Sequence, residues 1–116
     1  MKTLLTLIAR HWLPISVALL ALISMLSLTP LEHLPTVPGS DKLQHFIAYA
    51  ALIIPAALRR PRHLWLIFLF YVCWSGGIEL IQPYVSRYGE WGDLAANTAG
   101  LTLGCVVGLA SARMNK

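Results

Sequence analysis

Apolar and polar positions alternate along this chain on the scale of whole segments. Four apolar stretches, roughly Trp12 to Leu28, Leu43 to Leu58, Leu64 to Ile81 and Trp91 to Ala112, are separated by short polar breaks. Each approaches the ~20 residues an α-helix needs to cross a bilayer, the second being the shortest. The breaks have turn chemistry. Thr29 to Lys42 contains Pro30, Pro35, Pro38 and Gly39, with Ser40 or Asp41 placed to cap the helix that follows. Arg59-Arg60-Pro61-Arg62-His63 is a tight basic turn. Pro83 ends the third stretch, and Gly89 and Gly92 loosen the approach to the fourth. Pro55 is expected to bend the second helix where its neighbours tolerate a break. The pattern predicts an all-α protein, a four-helix transmembrane bundle forming a single domain over residues 1–116.

Composition narrows the class. Hydrophobic residues make up 57% of the chain and charged residues 12%, about half the charge of a soluble domain. So few charges cannot coat a water-soluble surface, and the apolar content excludes disorder. The two cysteines, Cys73 and Cys105, lie inside apolar stretches and are expected to be core thiols. A net charge of +4 is explained by topology without invoking nucleic acid, and no phosphate-cradling glycine loop is present. Seven of the nine basic residues fall before the first stretch, in the arginine turn, or after the fourth. Four crossings put all seven on one side, so the positive-inside rule makes both termini cytoplasmic. The first stretch reads as an uncleaved anchor, since three further apolar stretches follow it. All five acidic residues, Glu32, Asp41, Glu79, Glu90 and Asp93, then lie at or near the outer side.

Polar residues recur there with helical spacing. Asp41, His45 and Tyr49 are four apart, next to Lys42; Glu79 and Gln82 are three apart; Asp93 and Asn97 are four apart, and Arg87 lies in the intervening loop. Residues at such spacings share a helix face. An ionisable group at membrane depth costs about 2.5–3.5 kcal/mol on insertion scales unless paired or hydrated. These residues are therefore expected to converge on one outward-facing polar cavity. Each also has a plain structural reading: cap for Asp41, packing for Tyr49, helix-joining amides for Gln82 and Asn97, ion pairing with Lys42 or Arg87 for Glu79. Gly100, Gly104 and Gly108 form a doubled GxxxG that lets backbones approach closely, within the chain or between copies of it. Gly76 and Gly77 are expected to do the same in the third helix.

The ordered set Asp41-Lys42-x-x-His45-Phe46-x-x-Tyr49, Glu79-x-x-Gln82, Arg87 and Asp93-x-x-x-Asn97-x-x-Gly100-x-x-x-Gly104 resembles the VanZ-like family. The resemblance runs from about Asp41 to Gly108. It implies a bacterial cytoplasmic-membrane protein of multi-pass topology with a loose link to glycopeptide (teicoplanin-type) resistance. Three function classes fit. The first binds or remodels an envelope lipid or lipid-linked precursor, with Lys42 and Arg87 meeting phosphate or carboxylate. The second is an intramembrane enzyme using His45, Glu79 and Asp93 as acid–base groups. The third is a structural accessory subunit. Ser75 and Ser86 are serines without a nucleophile's context. With no HExxH and no histidine cluster, neither a metal nor another cofactor is expected.

Overall fold

The computed structural model describes residues 2–29, 41–85 and 91–114. Among them all regular structure is helical: α1 (Lys2–Arg10), α2 (Trp12–Leu28), α3 (Asp41–Arg59), α4 (Leu64–Ile81) followed by a 3-10 turn (Gln82–Val85), and α5 (Trp91–Met114). The all-α bundle is as the apolar pattern predicts, and α2 to α5 coincide with its four stretches. Ser40 and its capping role lie outside the described residues. Pro55 sits within α3, which continues through it to Arg59. α3 then stops at Arg60, a non-glycine residue in the left-handed region with φ of 58°, whose N–H donates to the Ala56 carbonyl (3.1 Å).

Helix directions follow from the contacts. The Trp74 indole N–H donates to Ser24 Oγ (2.8 Å) and Gln82 Nε2 donates to the Ser27 carbonyl (3.0 Å), so α2 and α4 run parallel. Gly100 meets Phe46, Gly104 meets Ala50 and Gly108 meets Ile54 and Ala57, so α3 and α5 also run parallel. α3 is the central helix. It packs most extensively on α5 and also contacts α1, α2 and α4. Tyr49, Leu52, Ile53, Tyr71 and Leu101 form the buried apolar core.

The outside of the bundle is apolar and much of the inside is polar. Trp65, Leu69, Phe70, Leu80 and Val106 are exposed, whereas Ser16, Ser27, Ser75, Glu79, Gln82, Asp93 and Asn97 are buried. Water would penalise the first group, and lipid would penalise the second if it faced outward. This is the surface of a membrane protein. Leu64–Tyr84 and Gly92–Met114 are each long and apolar enough to cross a membrane, and the pair α1–α2 is a third such element if counted as one. α3 is less apolar because Asp41, Lys42, Gln44 and His45 occupy its first turns. Its central position compensates, since much of its surface meets protein.

Two details depart from the sequence expectations, and one lies outside them. Residues Lys2–Arg10 form a separate helix, bent by 75° from α2. The signal was present in Leu4, Leu5 and Ile8, spaced i, i+1, i+4 against Lys2, Thr6 and Arg10. Cys73 is exposed on the outer surface instead of lying in the core, while Cys105 is partly buried. Gly76 and Gly77 make no close approach, for a Cβ added at either meets nothing within 4 Å. Of these two glycine groups, the α5 stripe is the one that packs closely.

The Gln82 bond is a buried tie between helices some 55 positions apart in the chain. Replacing Gln82 with Met, of similar length, is expected to cost about 0.6–1.7 kcal/mol, the range of interhelical hydrogen bonds in membranes. Reversible unfolding in detergent checks this, and an unchanged midpoint would mean that the amide bond contributes nothing.

Candidate functional site at the convergence of three helices

The site is built by the glycine stripe. A Cβ on Gly100 would overlap the Phe46 carbonyl, one on Gly104 the Ala50 carbonyl, and one on Gly108 would lie 3.1 Å from the Ile54 carbonyl. α5 therefore lies directly on the backbone of α3, closer than any side-chain-bearing residue permits. One to two turns before Gly100 on α5 come Asn97 and Asp93, on the same side of the helix. On α3, His45 immediately precedes Phe46 and Lys42 lies one turn before it. The parallel contact at Gly100 and Phe46 thus sets Asp93 beside both. Lys42 Nζ lies 3.9 Å from Asp93 Oδ1, and His45 Nε2 lies 3.9 Å from Asp93 Oδ2. The Lys42 stem passes over Gly92, where an added Cβ would come within 2.8 Å of Cε.

α4 completes the group from the opposite direction. Its inward face carries Tyr71, Ser75, Ile78 and Glu79, and Gln82 follows three residues after Glu79. One ligand atom each of His45, Glu79 and Asp93 lies within 4.8 Å of the others. Glu79 and Asp93 are about 95% buried, and the His45 side chain is 12% exposed. Tyr49, one turn along α3 from His45, is buried in the core within electrostatic reach of Glu79. Asp93 stands in the first turn of α5, where the helix dipole favours a carboxylate.

The expected site residues therefore separate into groups. His45, Glu79 and Asp93 come together, with Lys42 at the rim and Tyr49 beneath. Asn97 is buried, and its Oδ1 has no hydrogen-bond partner among the described residues. Gln82 is turned to α2 through its amide nitrogen, as a helix-joining residue. The Asp41 side chain, Arg87 and Ser86 lie outside the described residues. Ser75 donates its hydroxyl to the Val72 carbonyl (3.1 Å), which engages the proton a nucleophilic serine would give to a base. Ser27, whose carbonyl receives Gln82, was not singled out from the sequence, because a backbone acceptor leaves no side-chain signature.

At the opposite end of the bundle stand Arg10, His11, Arg59, Arg60, Arg62 and His63, at the termini of α1 to α4. The acidic cluster and the arginine-rich end are thus separated along the bundle, whose longest extent is 46 Å. Chemically, the cluster offers two carboxylates and an imidazole in a mostly dehydrated setting. It can accept hydrogen bonds from hydroxyl or ammonium groups, exchange a proton through His45, or hold a cation. The His45–Asp93 separation exceeds hydrogen-bond length, so the pair is not a closed catalytic dyad.

A family model described as VanZ/LLP1 matches residues 3–111. That match takes in α1 and α2 as well as the polar motifs from α3 onward. Neither the curated proteins nor the solved structures compared with the chain contain a match.

Proposed function

The chain belongs to the VanZ/LLP1 family, and from that membership and its polar cluster we propose that it binds or remodels an envelope lipid or lipid-linked precursor. The observation that carries this reading is the meeting of His45, Glu79 and Asp93 within 4.8 Å in a protein whose outer surface is apolar. Carboxylates buried at membrane depth are costly. A bundle held together only by packing would be more stable with apolar residues there. In this reading four helices cross the bacterial cytoplasmic membrane and the cluster faces outward. Lys42 and Arg87 take the phosphate of a headgroup, and Glu79, Asp93 and His45 take its hydroxyl or ammonium groups. A role in glycopeptide resistance would follow if the bound lipid were a wall precursor.

The test is identification of lipids retained by the purified protein, wild type against Glu79→Gln. Wild type should keep a headgroup-specific lipid that the variant loses at unchanged thermal stability. Equal lipid profiles would remove the binding reading. Loss of fold in Glu79→Gln would point to an accessory subunit whose polar residues only hold the bundle. The grouping of His45, Glu79 and Asp93 as acid–base groups favours one second reading, an intramembrane enzyme on the same headgroup, which turnover of the retained lipid would reveal.

The orientation is tested separately. In a background lacking Cys73 and Cys105, an impermeant thiol reagent applied from outside should label a cysteine at position 35 or 89 and not one at position 60. The reverse pattern would turn the cluster toward the cytoplasm and end the envelope-lipid reading.

A further inference from the structure

We propose that His45, Glu79 and Asp93 form a divalent metal site, best suited to Zn2+. The inference rests on reading this cluster as a ligand site and names what the ligand includes. Three ligand atoms from three helices lie within 4.8 Å of one another, so no local helix geometry accounts for their meeting. The His45 Nε2–Asp93 Oδ2 distance of 3.9 Å is too long for a hydrogen bond. It is close to the spacing a metal imposes. With Zn–N and Zn–O bonds of about 2.0–2.2 Å, two ligands of a tetrahedral ion stand about 3.4 Å apart. A contraction of about half an ångström would bring these two atoms to that spacing.

The donor set points to the kind of ion. One imidazole with two carboxylates suits first-row transition metals, whereas Mg2+ and Ca2+ favour all-oxygen shells. A second observation comes from Asn97. It is 1% exposed, its Oδ1 has no hydrogen-bond partner among the described residues, and it lies one turn from Asp93 on the same side of α5. A carbonyl oxygen complements a cation or a metal-bound water, and it repels an anion. Such an acceptor one turn from Asp93 favours a cation over an anion at the cluster, with any lipid phosphate meeting the metal from the Lys42 side. Lys42, 55% exposed at 3.9 Å from Asp93, can move into water when the ion enters. Two carboxylates against one imidazole leave a divalent ion nearly neutral overall, which lowers the cost of its burial.

The full chain, purified in detergent and stripped with a chelator, is dialysed against Zn2+, Mn2+ or Mg2+ and its metal content measured. One Zn2+ per chain is expected, with affinity at least about tenfold weaker in Asp93→Asn and in Glu79→Gln and unchanged in the double variant His11→Ala/His63→Ala. Failure of wild type to take up Zn2+, or uptake lost only in the His11/His63 variant, overturns the proposal. Cobalt spectra of wild type guard against misfolded variants. Intense visible bands of a tetrahedral ion are expected, and the weak spectrum of hydrated Co2+ also overturns it. Repeating the lipid identification after chelation separates the two readings. Metal bound without a specific lipid removes only the lipid function; a lipid retained with no metal uptake removes only the metal site.

Discussion

Gly104→Ala is expected to destabilise the bundle by about 1–3 kcal/mol, and Gly104→Leu by more. The added methyl would occupy the place of the Ala50 carbonyl and come within 2.8 Å of Ile53 Cγ2. A backbone carbonyl cannot rotate away as a flexible side chain can, so α5 must move off α3. The effect should run against intrinsic propensity, since alanine is favoured over glycine in a helix by about 1 kcal/mol. Gly76→Ala and Gly77→Ala provide the contrast. Nothing lies within 4 Å of either added methyl, so these two should be neutral or stabilising. Unfolding of all four variants in the same detergent checks the set. Equal midpoints for Gly104→Ala and Gly76→Ala would mean that the α3–α5 contact is looser than the structure has it. The same displacement should also reach the polar cluster, because the register of that contact sets Asp93 beside His45.

Asp93→Lys is expected to cost about 3–5 kcal/mol, because it leaves an uncompensated charge in a buried position. The change takes the carboxylate from Lys42 and His45 and puts an ammonium into a position that is 6% exposed. Because Lys42 is largely exposed, it can retreat to water, while the new lysine on α5 cannot do so without leaving the helix interface. Asp93→Asn, which keeps the shape and removes only the charge, should cost less than half as much. The readout is the yield of monodisperse protein in detergent together with the unfolding midpoint. A fully stable Asp93→Lys would show that this position opens to water, and the dehydrated character of the cluster would be lost with it.

Much of this molecule is determined by the order of its residues. Apolar length between proline- and glycine-rich breaks defines α2 to α5, because backbone groups in lipid must be satisfied within each segment. Spacings of three and four put His45 with Tyr49, Glu79 with Gln82 and Asp93 with Asn97 on common faces, since a helix turn has 3.6 residues. The same periodicity exposes the glycine stripe on α5. It cannot say which glycines meet a neighbour. Gly76-Gly77 and Gly100/Gly104/Gly108 look equally suited to close packing, and only the placement of α3 against α5 separates them. Nor does periodicity say which polar faces meet. The approach of Asp93 to His45 and Lys42 depends on a parallel register between helices over 30 residues apart in the chain, set where the α5 backbone rests on the Phe46 and Ala50 carbonyls. The bend that separates α1 from α2, the outward position of Cys73 and the turn of Gln82 toward Ser27 have the same origin. Each follows from which surface a helix finds opposite it, and that depends on residues far away in the chain.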